Sequence, residues 1–191
     1  MRIYTFLTLV VALLMFMVAC DDAENINGQV AECTVNFYNE GEYYCTTIAT
    51  VGMPVSKPTD PQREGYDFVG WYDGDRVWDF STDKVMQGLA LDAQWRINLK
   101  STFSHYAEAG AELDPDGEYM KIMVDLRDTR NEKTLKMIKD ANKTLGLPDG
   151  VYRNMISTIH TDGFKTAEGD MALVEWTCDA ENCLFVTYYR K

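Results

Sequence analysis

Apolar residues fall into three rhythms along this chain. The first is an almost unbroken apolar run of sixteen residues from Ile3 to Val18, with Arg2 the only charge before Asp21. A membrane-crossing helix needs about 20 such residues, and two acids follow the run at once, so it predicts a signal peptide rather than a span. The second rhythm has a period of two. Cys33-Thr34-Val35-Asn36-Phe37-Tyr38 alternates apolar and polar, as a half-buried strand does. Asn39-Glu40-Gly41 is turn chemistry, and Tyr43 to Val51 is rich in β-branched and aromatic residues, which predicts a returning strand. A Cys33–Cys45 bridge would centre this hairpin on Asn39, with an odd-length loop, and set Val35 opposite Tyr43. Pro54, Pro58 and Pro61 then exclude a central strand and predict an extended crossover. Gly65–Tyr72, Val77–Phe80 and Leu89–Trp95 read as further strands, with a turn at Asp73-Gly74.

The third rhythm begins after residue 97. Met120, Ile122, Val124 and Leu126 still alternate with Lys121, Met123 and Asp125, as a strand with one solvent face. Then Leu135, Ile138, Ala141 and Leu145 recur at helical spacing. Thr129-Arg130-Asn131-Glu132 predicts a capping box before them, Glu132 and Lys136 an i,i+4 pair, and Gly146 the C-terminal stop. Pro148-Asp149 opens a second helical stretch with Val151, Tyr152, Met155, Ile156 and Ile159 apolar. Met171–Cys178 and Cys183–Tyr189 predict a hairpin around Asp179-Ala180-Glu181-Asn182, with Cys178 opposite Cys183 and Trp176 opposite Phe185. The order strand, helix, helix, antiparallel strands predicts an α+β sandwich for residues 97–191.

Charge narrows the partners. The formal net charge is −12, and residues 1–19 carry one cation, Arg2, and no acid, so removing them gives −13. Such acidity argues against nucleic acid, which needs a basic footprint, and against electrostatic adhesion to anionic lipid. Residues 20–32 hold four acids and no hydrophobic period, and read as a solvated tether.

Two resemblances give the first half a context. Gly65-Tyr66-Asp67-Phe68-Val69-Gly70-Trp71-Tyr72, Trp78-Asp79-Phe80-Ser81-Thr82 and Leu89-Ala90-Leu91-Asp92-Ala93-Gln94-Trp95 together resemble the Listeria–Bacteroides repeat, the B-repeat type found in internalins. The resemblance covers residues 33–96 and rests on Gly65, Tyr66, Phe68, Gly70, Trp71, Tyr72, Trp78, Phe80 and Trp95. It implies a small β-grasp-like module displayed outside a bacterium, with a short helix or turn in the slot of Asp60-Pro61-Gln62-Arg63-Glu64. The chain departs from the family in the Cys33/Cys45 pair and in Glu42-Tyr43-Tyr44. The aromatics Phe37, Phe68, Trp71, Trp78, Phe80 and Trp95 offer either a sugar-binding surface or a core, and a unit of this size needs the core. Met17-Val18-Ala19-Cys20 resembles a bacterial lipobox, with Met17 where Leu is commonest. It implies that Cys20 is the lipid attachment point; the alternative is an ordinary signal peptide with a coincidental cysteine. The acids after Cys20 resemble surface-export signals of Bacteroidetes lipoproteins, or serve solubility alone.

With Cys20 lipidated, Cys33, Cys45, Cys178 and Cys183 remain, and four cysteines allow three pairings. Export permits disulfides, and proximity favours Cys33–Cys45 and Cys178–Cys183. No spacing supports zinc. Neither His105 nor His160 sits in a recognisable motif, and no nucleophile elbow, P-loop, dinucleotide fingerprint or zincin motif occurs. Asp114-Pro115-Asp116-Gly117-Glu118 has Asp-x-Asp spacing, but its glycine falls at position four of a calcium loop and its twelfth residue is Asp125, so a turn is the better reading.

The sequence therefore predicts an α+β protein: signal peptide 1–19, acidic tether 20–32, repeat domain 33–96 and α+β domain 97–191. Its expected role is a non-enzymatic cell-envelope lipoprotein that binds a protein or glycan, held to a membrane by lipid, with no nucleic acid, cofactor or metal. A structural envelope subunit assembled through strand edges is the alternative, or a C-terminal enzyme or inhibitor domain with the repeat as spacer.

Overall fold

Two turns with left-handed residues set the registers of this fold. A computed structural model describes residues 30–158 and 163–191. The expected signal peptide, Cys20, most of the tether and His160 lie outside the described residues. The described chain separates into two compact units, one of residues 30–61 and 69–94, the other of Gln62–Phe68 and Trp95–Lys191. The architecture is α+β: two five-stranded sheets and a few helices. Among the described residues no helix is long and apolar enough to cross a membrane.

The first sheet contains β1 (Glu32–Asn39), β2 (Glu42–Thr50), β3 (Tyr66–Asp73), β4 (Arg76–Val77) and β5 (Leu89–Ile97), in the order β2-β1-β5-β3-β4. Strands β1 and β5 run parallel side by side, Val35 beside Leu89 and Phe37 beside Leu91. The alternation expected in Cys33–Phe37 is realised: Cys33, Val35 and Phe37 are buried on one face. The Asp60–Glu64 slot holds a turn at Glu64-Gly65 and no helix.

The first hairpin differs from the expected register. Glu40 and Gly41 form a two-residue turn at φ +54° and +82°, the conformation whose twist suits a hairpin. It closes on Asn39 and Glu42, and an irregularity between Phe37 and Tyr38 then sets Cys45 opposite Phe37 and Cys33 opposite Ala49. Val35 faces Thr47, not Tyr43. Cys33 and Cys45 thus stand four positions apart along the ladder, about 13 Å at strand rise. A disulfide needs Cα atoms within about 7 Å. The expected Cys33–Cys45 bridge is absent.

The second unit is built on β6 (Glu112–Leu113), β7 (Tyr119–Asp125), β8 (Lys165–Glu168), β9 (Ala172–Cys178) and β10 (Cys183–Arg190), ordered β6-β7-β10-β9-β8 and all antiparallel. A short helix α1 (Leu99–Thr102) and a 3₁₀ segment (Ser104–Ala109) precede the sheet, and α2 (Glu132–Thr144) and α3 (Val151–Ile156) follow β7. Met120, Ile122, Val124, Val174, Trp176, Leu184, Val186 and Tyr188 meet Met137, Ile138, Ala141, Leu145 and Met155 in one core.

The β9–β10 hairpin also departs from expectation. Asn182 takes φ +59°, which closes a three-residue loop after Asp179 and shifts the ladder by one position. Cys178 therefore faces Leu184, and Trp176 faces Val186 instead of Phe185. A shift of one flips a side chain to the other face. Cys178 is buried while Cys183 lies half-exposed, so the Cys178–Cys183 bridge does not form and both are free. Burial pushes the Cys45 and Cys178 thiols above their ordinary range, with the Asp179 charge adding to it at Cys178.

Helix α2 starts at Glu132 with Asn131 as its cap, and the Asn131 amide donates to the Asp125 carbonyl at 2.8 Å, so the capping box from Thr129 does not form. Glu132 and Lys136 form no ion pair. Gly146 does stop the helix, at φ +68°, with Gly146 N–H donating to the Lys143 carbonyl and Leu147 N–H to that of Asn142. This is the Schellman arrangement. The chain returns close by: a Cβ on Gly169 would lie 2.7 Å from the Leu145 carbonyl oxygen. Gly169→Ala is expected to cost about 1–3 kcal/mol through overpacking, read from chemical denaturation. A loss near zero would mean that the return segment moves freely.

Candidate functional site

In the first unit the motif aromatics are spent largely on the core. Phe37, Trp71 and Trp78 are buried and Phe80 is half-buried, while the motif residues Phe68 and Trp95, half-buried, belong to the second unit. Phe37 meets Trp71 edge-on at 4.9 Å and stacks near Phe80 at 6.3 Å, and Tyr44 tilts over Trp71 at 5.6 Å. Trp78 N–H donates to the Trp71 carbonyl at 2.8 Å, which ties the two motif pieces together. The Asp79 carboxylate accepts from Ser81 N–H at 2.8 Å and the Ser81 hydroxyl at 2.5 Å, and Arg76 pairs with Asp83 at 2.6 Å. The Trp78–Thr82 motif therefore builds a turn. What it does chemically is hold shape.

In the second unit, Gly65, Tyr66, Asp67 and Phe68 take a different part. Thr102 Oγ1 and Asn98 N–H each donate to the Gly65 carbonyl at 2.9 Å. Tyr66 stacks under the Arg63 guanidinium at 3.7 Å, and Phe68 meets Trp95 edge-on at 5.4 Å. Asp67 accepts from the Asn98 amide at 3.0 Å and from Arg190, whose other nitrogen donates to Glu118. The Arg190 side chain is only 5% exposed, so its charge is held almost entirely by these carboxylates.

Burial alone would raise the Asp67 carboxyl, but the hydrogen bonds from Asn98 and Arg190 and the positive charge of Arg190 carry it below the ordinary carboxylate range. A depressed carboxyl contributes stability that is present above its unfolded value, about 3.9 for aspartate, and lost as pH falls further. Asp67→Asn is expected to flatten the acid limb of stability below about pH 4. Melting temperature against pH measures it, and an unchanged limb would remove Asp67 from the account.

Two concavities flank α2. One, of about 790 Å³, lies between α2 and α3 and is lined by Lys139, Lys143, Arg153, Asp140, Asp149 and Tyr152, with Asn142, Leu147 and Ile156 among its walls. The other, of about 320 Å³, is lined by His105, Tyr106, Lys133, Lys136, Met137 and Asp140. His105 leans edge-on against Tyr106 at 4.2 Å. It makes no hydrogen bond to Asp140, so the pair lacks the contact a general base and its orienting carboxylate need.

The Asp114 carboxylate accepts from Asp116 and Glu118 N–H at 3.0 and 3.1 Å, a self-contained turn as expected. Among the described residues no group of carboxylates, histidines and cysteines could hold a metal. Sequence reasoning missed the Arg190 cluster, because Asp67 and Arg190 are 123 residues apart. It also missed the α2 groove, although lysines at 136, 139 and 143 share one helical face and were legible as a stripe.

Comparison with known proteins places the first unit. Residues 34–94 match the Listeria-Bacteroides repeat domain, so this segment is such a repeat. A putative membrane protein of Evansella cellulosilytica is 36% identical over 74 residues, which is 37% of this chain and 11% of that protein. A putative Gly-rich membrane protein of the same organism is 31% identical over 100 residues, half of this chain and 12% of that protein. Internalin H of Listeria monocytogenes is 47% identical over 58 residues, 27% of this chain and 11% of the internalin. The matched stretch thus spans about a ninth to an eighth of these curated relatives. The repeat is one shared with envelope-associated proteins.

Proposed function

We propose that this protein is a non-enzymatic lipoprotein of a bacterial cell envelope, which presents its repeat and its α+β unit to bind a protein or glycan. The repeat over residues 34–94 carries this reading, because its relatives are named as membrane proteins and an internalin. The apolar run Ile3–Val18 ending at Cys20 supports lipid anchoring. Acyl chains contribute about 0.8 kcal/mol per buried CH₂ and hold stably when two or more are present. An anchored chain from Cys20 onward, of formal charge −13, does not adhere to anionic lipid by charge, so the acyl chains must do it. The thirteen-residue acidic tether would set the folded part about 20 Å from the bilayer as a flexible coil.

Fractionation of cells making the full chain tests the anchor. The protein is expected in the detergent-extracted membrane fraction, and Cys20→Ser in the soluble one. Equal membrane retention of both would overturn the lipid attachment.

One observation favours a second reading, a structural subunit. Strand β2 is the outermost strand of its sheet and nine residues long, with Tyr43 and Ile48 about two-thirds exposed. Long apolar edges template strand addition. Concentration-dependent assembly in light scattering, abolished by Ile48→Lys, would support it; a monomer at all concentrations would not.

A further inference from the structure

We infer that the groove between α2 and α3 is a binding site for an acidic oligosaccharide. The inference deepens the binding reading above and rests on it.

Charge is the first observation. The chain is strongly acidic, yet Lys133, Lys136, Lys139 and Lys143 line one side of α2 and Arg153 stands across the groove on α3. Lys139, Lys143 and Arg153 are exposed and take part in none of the ion pairs of the described residues. Unpaired cations facing one concavity create a local positive potential against the field of the whole chain.

The floor of the groove is the second observation. Asn142 is 6% exposed, and its Oδ1 accepts from the Tyr188 hydroxyl at 2.7 Å. That contact fixes the amide, and leaves the Nδ2 donor with only the Met155 thioether, at 3.5 Å. Tyr188 and Met155 are both fully buried, so the amide is anchored toward the core and makes the groove floor a fixed one.

The mixture of linings decides the ligand class. Asp140 and Asp149 stand among the three cations. Carboxylates repel bare phosphates, but accept hydrogen bonds from sugar hydroxyls, while Lys143 and Arg153 take the acid group of the same sugar. Tyr152, half-buried, offers a ring face for sugar C–H groups. The cavity volume of about 790 Å³ suits a few sugar rings. The site is a concavity between two helices, which suits a short chain of sugars better than a flat headgroup layer. Helix α2 spans 13 residues, about 20 Å, so a longer chain could continue along Lys136 and Lys133 into the smaller concavity.

The test is calorimetry and NMR titration of the full chain with tetragalacturonate, and with neutral galactotetraose of matched length. Tetragalacturonate is expected to bind at least tenfold more tightly than the neutral sugar and to weaken as salt rises. The double variant Lys143→Ala/Arg153→Ala is expected to lose at least tenfold in affinity. Both side chains are exposed, so its fold should persist, with an unchanged melting curve as control. A Tyr152→Ala variant should lose affinity without changing the salt dependence. Tripolyphosphate bound as well as tetragalacturonate would reduce the site to charge and overturn the sugar assignment, and tighter binding of anionic vesicles would do the same. Tetragalacturonate bound equally by wild type and double variant would overturn this site, yet leave the binding reading standing. If neither sugar binds, the site falls, and the binding reading is left to protein ligands.

Discussion

Trp71→Ala should cost the first unit about 3–5 kcal/mol, the range for truncating a large buried aromatic. Trp71 is 1% exposed and touches Phe37 and Tyr44, so its removal opens a cavity where the rings meet. Folded domains are stable by about 5–15 kcal/mol, so this loss is a large share. Val69 stands two residues earlier in the same strand and is 47% exposed. Val69→Ala is expected to stay within about 0.5 kcal/mol, as surface changes do. Paired urea titrations measure both. Similar effects for the two would mean that the motif tryptophan is not the centre of its unit.

Tyr188 carries the second large effect, and it separates ring from hydroxyl. Its side chain is fully buried, and the hydroxyl reaches both the Asn142 amide and the Ile138 carbonyl. Tyr188→Phe keeps the ring and leaves a buried acceptor unpaired, at about 1–3 kcal/mol. Tyr188→Ala should cost about 3–5 kcal/mol. The hydroxyl also has a pH signature. Burial, with a smaller push from Tyr106, raises the Tyr188 phenol well above its ordinary range. A raised folded value contributes stability that is whole below the unfolded value, about 10, and is lost as pH rises beyond it. The unfolded phenol then releases a proton that the folded one keeps. Tyr188→Phe should therefore lose less stability than wild type between about pH 10 and 11, by up to about 1.4 kcal/mol per pH unit for this one group. Parallel alkaline limbs would show that the phenol ionises without unfolding.

The periodic parts of this fold were legible. The alternation of Cys33–Phe37 and Met120–Val124 and the helical spacing of Leu135, Ile138, Ala141 and Leu145 put the right residues in the cores. Gly146 marked a helix end because only a residue tolerant of positive φ closes a Schellman turn cheaply. The registers were not legible. Whether the first hairpin turns on Asn39 or on Glu40-Gly41, and whether Asn182 goes left-handed, are choices of one residue, and each moved a cysteine away from its expected partner. Glu112–Leu113 and Lys165–Glu168 are too short to show a period. The candidate groove was half legible. Its lysines follow helical spacing, but Arg153 and the buried Asn142 amide join them only through the packing of two helices.

Intact-mass analysis of the protein extracted from its native membrane, with and without reductant, tests the account most directly. The predicted result is an acylated chain beginning at Cys20, with a mass that reductant leaves unchanged because neither Cys33–Cys45 nor Cys178–Cys183 is bridged. An unacylated chain that retains residues 1–19 would contradict the envelope lipoprotein. A mass that rises on reduction would contradict the two hairpin registers.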